Sequence, residues 1–84
     1  MYIVVLTHGF VFACREIDET PEGSTLTTVR CIRVWGTKNG LGQLVRGPTK
    51  ETVLDATIPV VSAPRASVLF TFKVDTGAWA EHLK

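Results

Sequence analysis

The chain has 84 residues, 45% of them apolar and 20% charged, and nine Lys and Arg against eight Asp and Glu leave a formal net charge of +1. That length makes one domain of residues 1–84, and the composition is that of a folded protein rather than a disordered one. The near-neutral balance excludes the global charge excess that draws a chain to nucleic acid or to a membrane surface.

No apolar run approaches the roughly 20 residues that span a bilayer, so no membrane partner is expected. Met1-Tyr2-Ile3-Val4-Val5 lacks the basic start and small-residue cleavage site of a secretory leader, which predicts a cytoplasmic protein. Ordering so short a chain costs about 1.5 kcal/mol per residue, and its own apolar burial barely offsets this. Homo-oligomerisation is therefore expected.

In chain order, turn signals fall at His8-Gly9, Thr20-Pro21-Glu22-Gly23, the stretch from Gly36 to Gly42, Gly47-Pro48, Ala63-Pro64 and Thr76-Gly77. They bound five runs rich in Val, Ile, Phe and Thr, namely residues 2–7, 10–18, 24–35, 55–62 and 67–74, which read as strands. His8-Gly9 reads as a two-residue hairpin connection that sets Val5 opposite Phe12 and Ile3 opposite Cys14. A second hairpin about Pro21-Glu22-Gly23-Ser24 then sets Cys14 opposite Cys31, Phe12 opposite Arg33 and Phe10 opposite Trp35. One face of this meander carries Ile3, Val5, Phe12, Cys14 and Cys31, and the other carries Val4, Leu6, Val11, Ala13 and Ile32. Both faces are apolar, whereas a sheet with one wet face alternates cleanly. Either the sheet curls into a small barrel covered by a helix, or a second subunit buries one face.

Leu41, Leu44 and Val45 share one helical stripe, with Thr37 or Asn39 as the cap and Gly47-Pro48 as the stop. Pro59 pushes the fourth run to a sheet edge. Residues 75–84 read as a loosely packed tail, with a frayed helical turn anchored by Trp79 and Leu83. The expected fold is mostly β (a β-rich α+β domain): a small bent antiparallel sheet or SH3-like barrel of about five strands, with one short helix between strands three and four.

The charge is polarised along the chain. Residues 23–50 hold Arg30, Arg33, Lys38, Arg46 and Lys50 and no acid, while residues 16–22 hold four acids and no base. Within the basic stretch, Arg33, Trp35, Gly36, Thr37, Lys38, Asn39 and Gly40 lead into the helix. A helix start offers free N–H donors, glycines admit a ligand to the backbone, and an aromatic ring beside cations can stack on a base. These seven residues are the candidate ligand site for a nucleotide-like anion. The plainer reading puts Trp35 in the core, where tryptophan is usually well buried. It leaves the glycines as turn formers and the basic side chains paired with residues 16–22.

Cys14 and Cys31, opposed across the hairpin, read as reduced, buried thiols in a cytoplasmic chain rather than as a disulfide. With His8 in a turn and His82 in the tail, no metal-ligand set forms. Asp18, Glu19 and Glu22 read as a solvated turn with no apolar pocket to raise a pKa. No catalytic residue, cofactor or metal is expected.

Arg33-Val34-Trp35-Gly36, Gly40-Leu41-Gly42-Gln43-Leu44 and Gly47-Pro48-Thr49, with Tyr2-Ile3-Val4-Val5 and Gly9-Phe10-Val11-Phe12, resemble a family of small bacteriophage and prophage proteins of unknown function. The likeness covers about residues 2–74, and the tryptophan followed by a short Leu-x-x-Leu helix is its distinctive part. Related sequences often carry serine where this chain has Gly40 and Gly42. The resemblance implies a phage accessory or structural protein in a bacterial cytoplasm.

The leading functional expectation is a non-enzymatic, phage-encoded binding protein that acts as a homo-oligomer and blocks or bridges a host or phage protein through an apolar sheet face. The alternative is a small-ligand binder, such as a counter-defence sequestrant of nucleotide signals. A virion structural component is a more distant alternative.

Overall fold

The first reversal of the chain takes three residues. In the computed structural model, which describes residues 1–84, β1 (Tyr2–Leu6) and β2 (Val11–Thr20) are joined through a single 3-10 turn, Thr7–Gly9. The Leu6 N–H donates to the Phe10 carbonyl at 2.8 Å, and His8 and Gly9 both take positive φ, 64° and 81°. This turn is one residue longer than the His8-Gly9 connection read from the sequence, so the register moves by one. Tyr2 faces Cys14, Ile3 faces Ala13 and Val4 faces Phe12. Because side chains alternate with period two, that slip exchanges the faces of β1 relative to β2.

The second reversal is tighter than expected. Thr20 pairs with Gly23 across Pro21-Glu22, so β2 and β3 (Gly23–Val34) meet with Cys14 opposite Val29 and Phe12 opposite Cys31. Proline suits the first corner of such a turn, which fixes the loop at two residues. The cysteines are therefore diagonal neighbours and not an opposed pair. Farther along β3, Thr28 sits at φ 54°. This left-handed residue breaks the alternation, and Leu26 and Val29, on opposite faces by count, both enter the same core.

Three further strands complete the sheet, β4 (Val53–Leu54), β5 (Ile58–Pro64) and β6 (Val68–Lys73), and a last short helix, α1 (Thr76–Trp79), follows. All strand pairs are antiparallel in the order β4-β3-β2-β1-β6, and β5 also lies along β3. The fold is thus mostly β, with six strands; the added one is the two-residue β4. Pro59 lies in β5, whose only neighbour is β3, as an edge proline should.

Both faces of the sheet are covered within this one chain. The inner face of the rolled sheet gathers Val4, Leu6, Cys14, Leu26, Val29 and Ala63. The outer face presents Ile3, Val11, Ala13 and Ile32, and it is roofed by Leu44, Trp79 and Leu83. The sheet therefore curls under its own helical cover, the first of the two arrangements its apolar faces allow.

The roof differs from expectation in kind. Leu41–Arg46 is a 3-10 helix, preceded by Gly40 at φ 85° with no side-chain cap from Thr37 or Asn39. Gly47 ends it by donating its N–H to the Leu44 carbonyl, which also accepts from the Trp79 indole Nε1 at 2.7 Å. Residues 75–84 pack firmly rather than loosely. Asp75 caps α1, and Trp79 and Leu83 are fully buried. Two arginines of the sheet hold the end in place: Arg15 donates to the Leu83 carbonyl at 2.8 Å and Arg30 to the His82 carbonyl at 3.3 Å. No helix is long and apolar enough to cross a membrane.

Candidate functional site

The basic loop after β3 is held by a threonine clasp. Thr52 Oγ1 donates to the Trp35 carbonyl at 2.6 Å, and Thr49 Oγ1 donates to the Gly36 carbonyl at 2.7 Å. Gly36 sits at φ 67° with its Cα against the Glu51 backbone, where a Cβ would collide with the Glu51 carbonyl carbon. Only glycine fits this corner. Beyond it, Gln43 reaches back from the 3-10 helix, and its Oε1 accepts from the N–H groups of Lys38 at 3.1 Å and Asn39 at 2.9 Å. The two backbone donors that suggested an anion site thus already serve a side-chain amide. Gln43 does the capping work assigned by sequence to Thr37 or Asn39, and a glutamine three residues into a helical turn was the signal for it.

The seven candidate residues are spread rather than focused. Arg33 is exposed and pairs with Asp55 at 2.9 Å. Trp35 is 42% exposed, so it is not the core tryptophan; Trp79 is. Lys38, Asn39 and Gly40 are exposed and Thr37 is half-buried. A shallow concavity of about 300 Å³ is lined by Gly36, Lys38, Gln43, Thr49, Lys50 and Glu51. It unites Gly36 with Lys38 but leaves out Arg33 and Trp35. Two lysines face one glutamate there, a weak positive field.

The basic stretch does not pair with residues 16–22. The chain has two ion pairs, Arg33–Asp55 and Lys84–Glu81. Arg30 instead spends its guanidinium on carbonyls: Asp55 at 2.6 Å, Leu54 at 3.2 Å and His82. It ties β3 to the segment after β4 and to the tail.

Both cysteines are free. Burial pushes the Cys14 thiol up to about 11, and burial together with the nearby Asp55 carboxylate raises that of Cys31. Thiols held protonated are poor nucleophiles and poor metal ligands. No group of three or more His, Cys, Asp or Glu converges anywhere in the chain.

Several large apolar side chains lie outside the two cores. Phe10, Leu69 and Phe70 are each more than half exposed, at 55%, 60% and 53%. Phe10 stacks on Phe12, and Phe70 on Phe72, with ring centroids 6.3 Å apart in each pair. Val34 and Val53 face each other across β3 and β4, both exposed. A larger concavity, about 520 Å³, lies between the β2–β3 turn at Glu19 and Thr20, Arg65, and β6 at Phe70 and Thr71. Sequence reading passed over this cleft, because it forms only when the sheet rolls and brings residues 19–24 beside β6. Comparison with known proteins found no matching family model, no matching curated protein and no matching solved structure.

Proposed function

We propose that this chain is a non-enzymatic protein-interaction module that works as a homo-oligomer. One observation carries the reading: with both sheet faces already covered internally, Phe10, Leu69 and Phe70 still stand more than half exposed. These large apolar side chains remain available for contact after two cores are filled, and exposed apolar patches mark interaction sites. The proposed interface is not the flat sheet face expected from the sequence, since that face lies under Leu44 and Trp79. It is built from strand ends and edges.

The likeness of Arg33-Val34-Trp35-Gly36 and the following Leu-x-x-Leu segment to small phage proteins supports an accessory role in a bacterial cytoplasm, with a host or phage protein as further partner. A nucleotide-like anion is the weaker occupant, because the N–H groups of Lys38 and Asn39 are engaged by Gln43. The test is sedimentation equilibrium of the purified chain from micromolar to millimolar concentration. A mass that rises to a defined multiple of 9.2 kDa is expected. A monomer throughout the range refutes the reading.

A further inference from the structure

The backbone of β6 leaves half its hydrogen-bonding groups facing outward. In an antiparallel ladder, successive residues direct their peptide groups to alternate sides. The Leu6 N–H donates to Phe10, so Tyr2, Val4 and Leu6 serve β2. The Val74 N–H donates to the Met1 carbonyl at 3.0 Å, so Met1, Ile3 and Val5 serve β6, where they meet Val74, Phe72 and Phe70. Thr71 and Lys73 therefore point their N–H and C=O away from β1, and no other strand lies along that edge. Such an edge is a template for another strand. Its guards are few: there is no proline in Val68–Lys73, the only charge is the terminal Lys73, and the register shift beside Leu69 is its one irregularity.

We propose that β6 pairs antiparallel with β6 of a second copy about a two-fold axis through Thr71. This rests on the homo-oligomer reading above and specifies its interface. In this register Thr71 meets its counterpart as a hydrogen-bonded pair. Phe70 meets Phe72 of the second copy as a non-hydrogen-bonded pair, the closer kind. The exposed ring of Phe70 then covers a half-buried ring that packs on the outer core, and the four rings form one ladder. On the other face, Lys73 of the second copy comes beside Leu69, at the end of β6 where Glu19 lines the cleft. Neither Glu19 nor Lys73 has an ion-pair partner in its own chain, and the symmetry makes this complementary contact twice. Other centres are poorer. An axis at Lys73 sets two ammonium groups opposite each other, one at Leu69 falls on the irregular register, and one at Phe70 pairs Thr71 and Phe72 with Leu69 and Val68 across it. An axis at Phe72 turns Phe70 toward Val74, which is already buried.

Sedimentation velocity on the full chain and four variants tests the register. Phe70→Lys is expected to raise the dimer Kd by at least about tenfold, and Glu19→Lys and Lys73→Glu each by about three- to tenfold. The double variant E19K/K73E is expected to return the Kd to near that of the parent. All three positions are exposed, and circular dichroism verifies that each variant folds. An oligomer indifferent to Phe70→Lys overturns edge pairing while leaving the oligomer reading intact. Weakening without rescue by the double variant overturns the Thr71 register. A monomer at every concentration overturns both, and one whose Thr71 and Lys73 amide signals shift on adding an unrelated extended peptide assigns the edge to a foreign strand.

Discussion

The two tryptophans have opposite structural roles, and replacing each by alanine separates them. Trp79 is fully buried with Ile3, Val11, Ile32 and Leu44, and its indole N–H is bonded to the Leu44 carbonyl. Truncating a buried aromatic residue costs about 3–5 kcal/mol, and the Leu44 carbonyl keeps the Gly47 N–H as a donor when the indole is gone. That loss is a large share of the whole stability of a domain this size, on the order of 4–13 kcal/mol at 0.05–0.15 kcal/mol per residue. Trp79→Ala should thus unfold at a much lower urea concentration than the parent.

Trp35 keeps 42% of its surface wet, and its one engaged polar group is its own main-chain carbonyl, which alanine retains. Trp35→Ala should cost only about 1–2 kcal/mol, in proportion to the partial burial lost. Urea unfolding followed by far-ultraviolet circular dichroism measures both without relying on the residue removed. The Trp35→Ala variant adds a spectral check: its remaining emission, from the buried Trp79, should be blue-shifted relative to the parent. A Trp35→Ala loss equal to or larger than that of Trp79→Ala would refute this assignment of the core.

Two further outcomes follow from local geometry. Gly36→Ala should destabilise by at least about 2 kcal/mol in the same urea assay, since the new Cβ meets the Glu51 backbone at a left-handed φ; a loss under half that size would contradict the clasp. The Cys14 thiol, raised from 9.0 to about 11, stays protonated in the fold at pH values where the unfolded chain has ionised. The contribution of this thiol to stability should therefore be level below pH 9 and fall between pH 9 and 11 by on the order of 2–3 kcal/mol. Cys14→Ala should remove that share of the alkaline loss, and an unchanged profile in the variant would show that the thiol does not carry it.

Local chemistry made much of this protein legible in one dimension. Val, Ile, Phe and Thr in short runs between Gly and Pro punctuation specify strands and antiparallel hairpins, and Pro59 specifies an edge, because each acts through its own φ, ψ or missing N–H. Apolar residues on both faces of the first three strands determined that both would be buried. Register was out of reach: Thr7 joining the first turn, or Ser24 leaving the second, shifts every cross-strand partner, and the choice depends on which cores those shifts fill. The left-handed Thr28 hides in a sequence that gives threonine no reason to leave the strand, and it is set by the roll that brings Leu26 and Val29 inward together.

The candidate site shows the same division. Residue types marked the loop from Arg33 to Gly40 as unusual, and Gly36 is indeed irreplaceable there on steric grounds. Whether its N–H groups face a ligand was decided by Gln43, and whether its tryptophan is core was decided by Trp79 arriving from the far end of the chain to fill that place. Hydrophobicity determines that one large ring will be buried under the helical roof. Only the packed tertiary structure, in which the tail brings the Trp79 indole N–H to the Leu44 carbonyl, determines which.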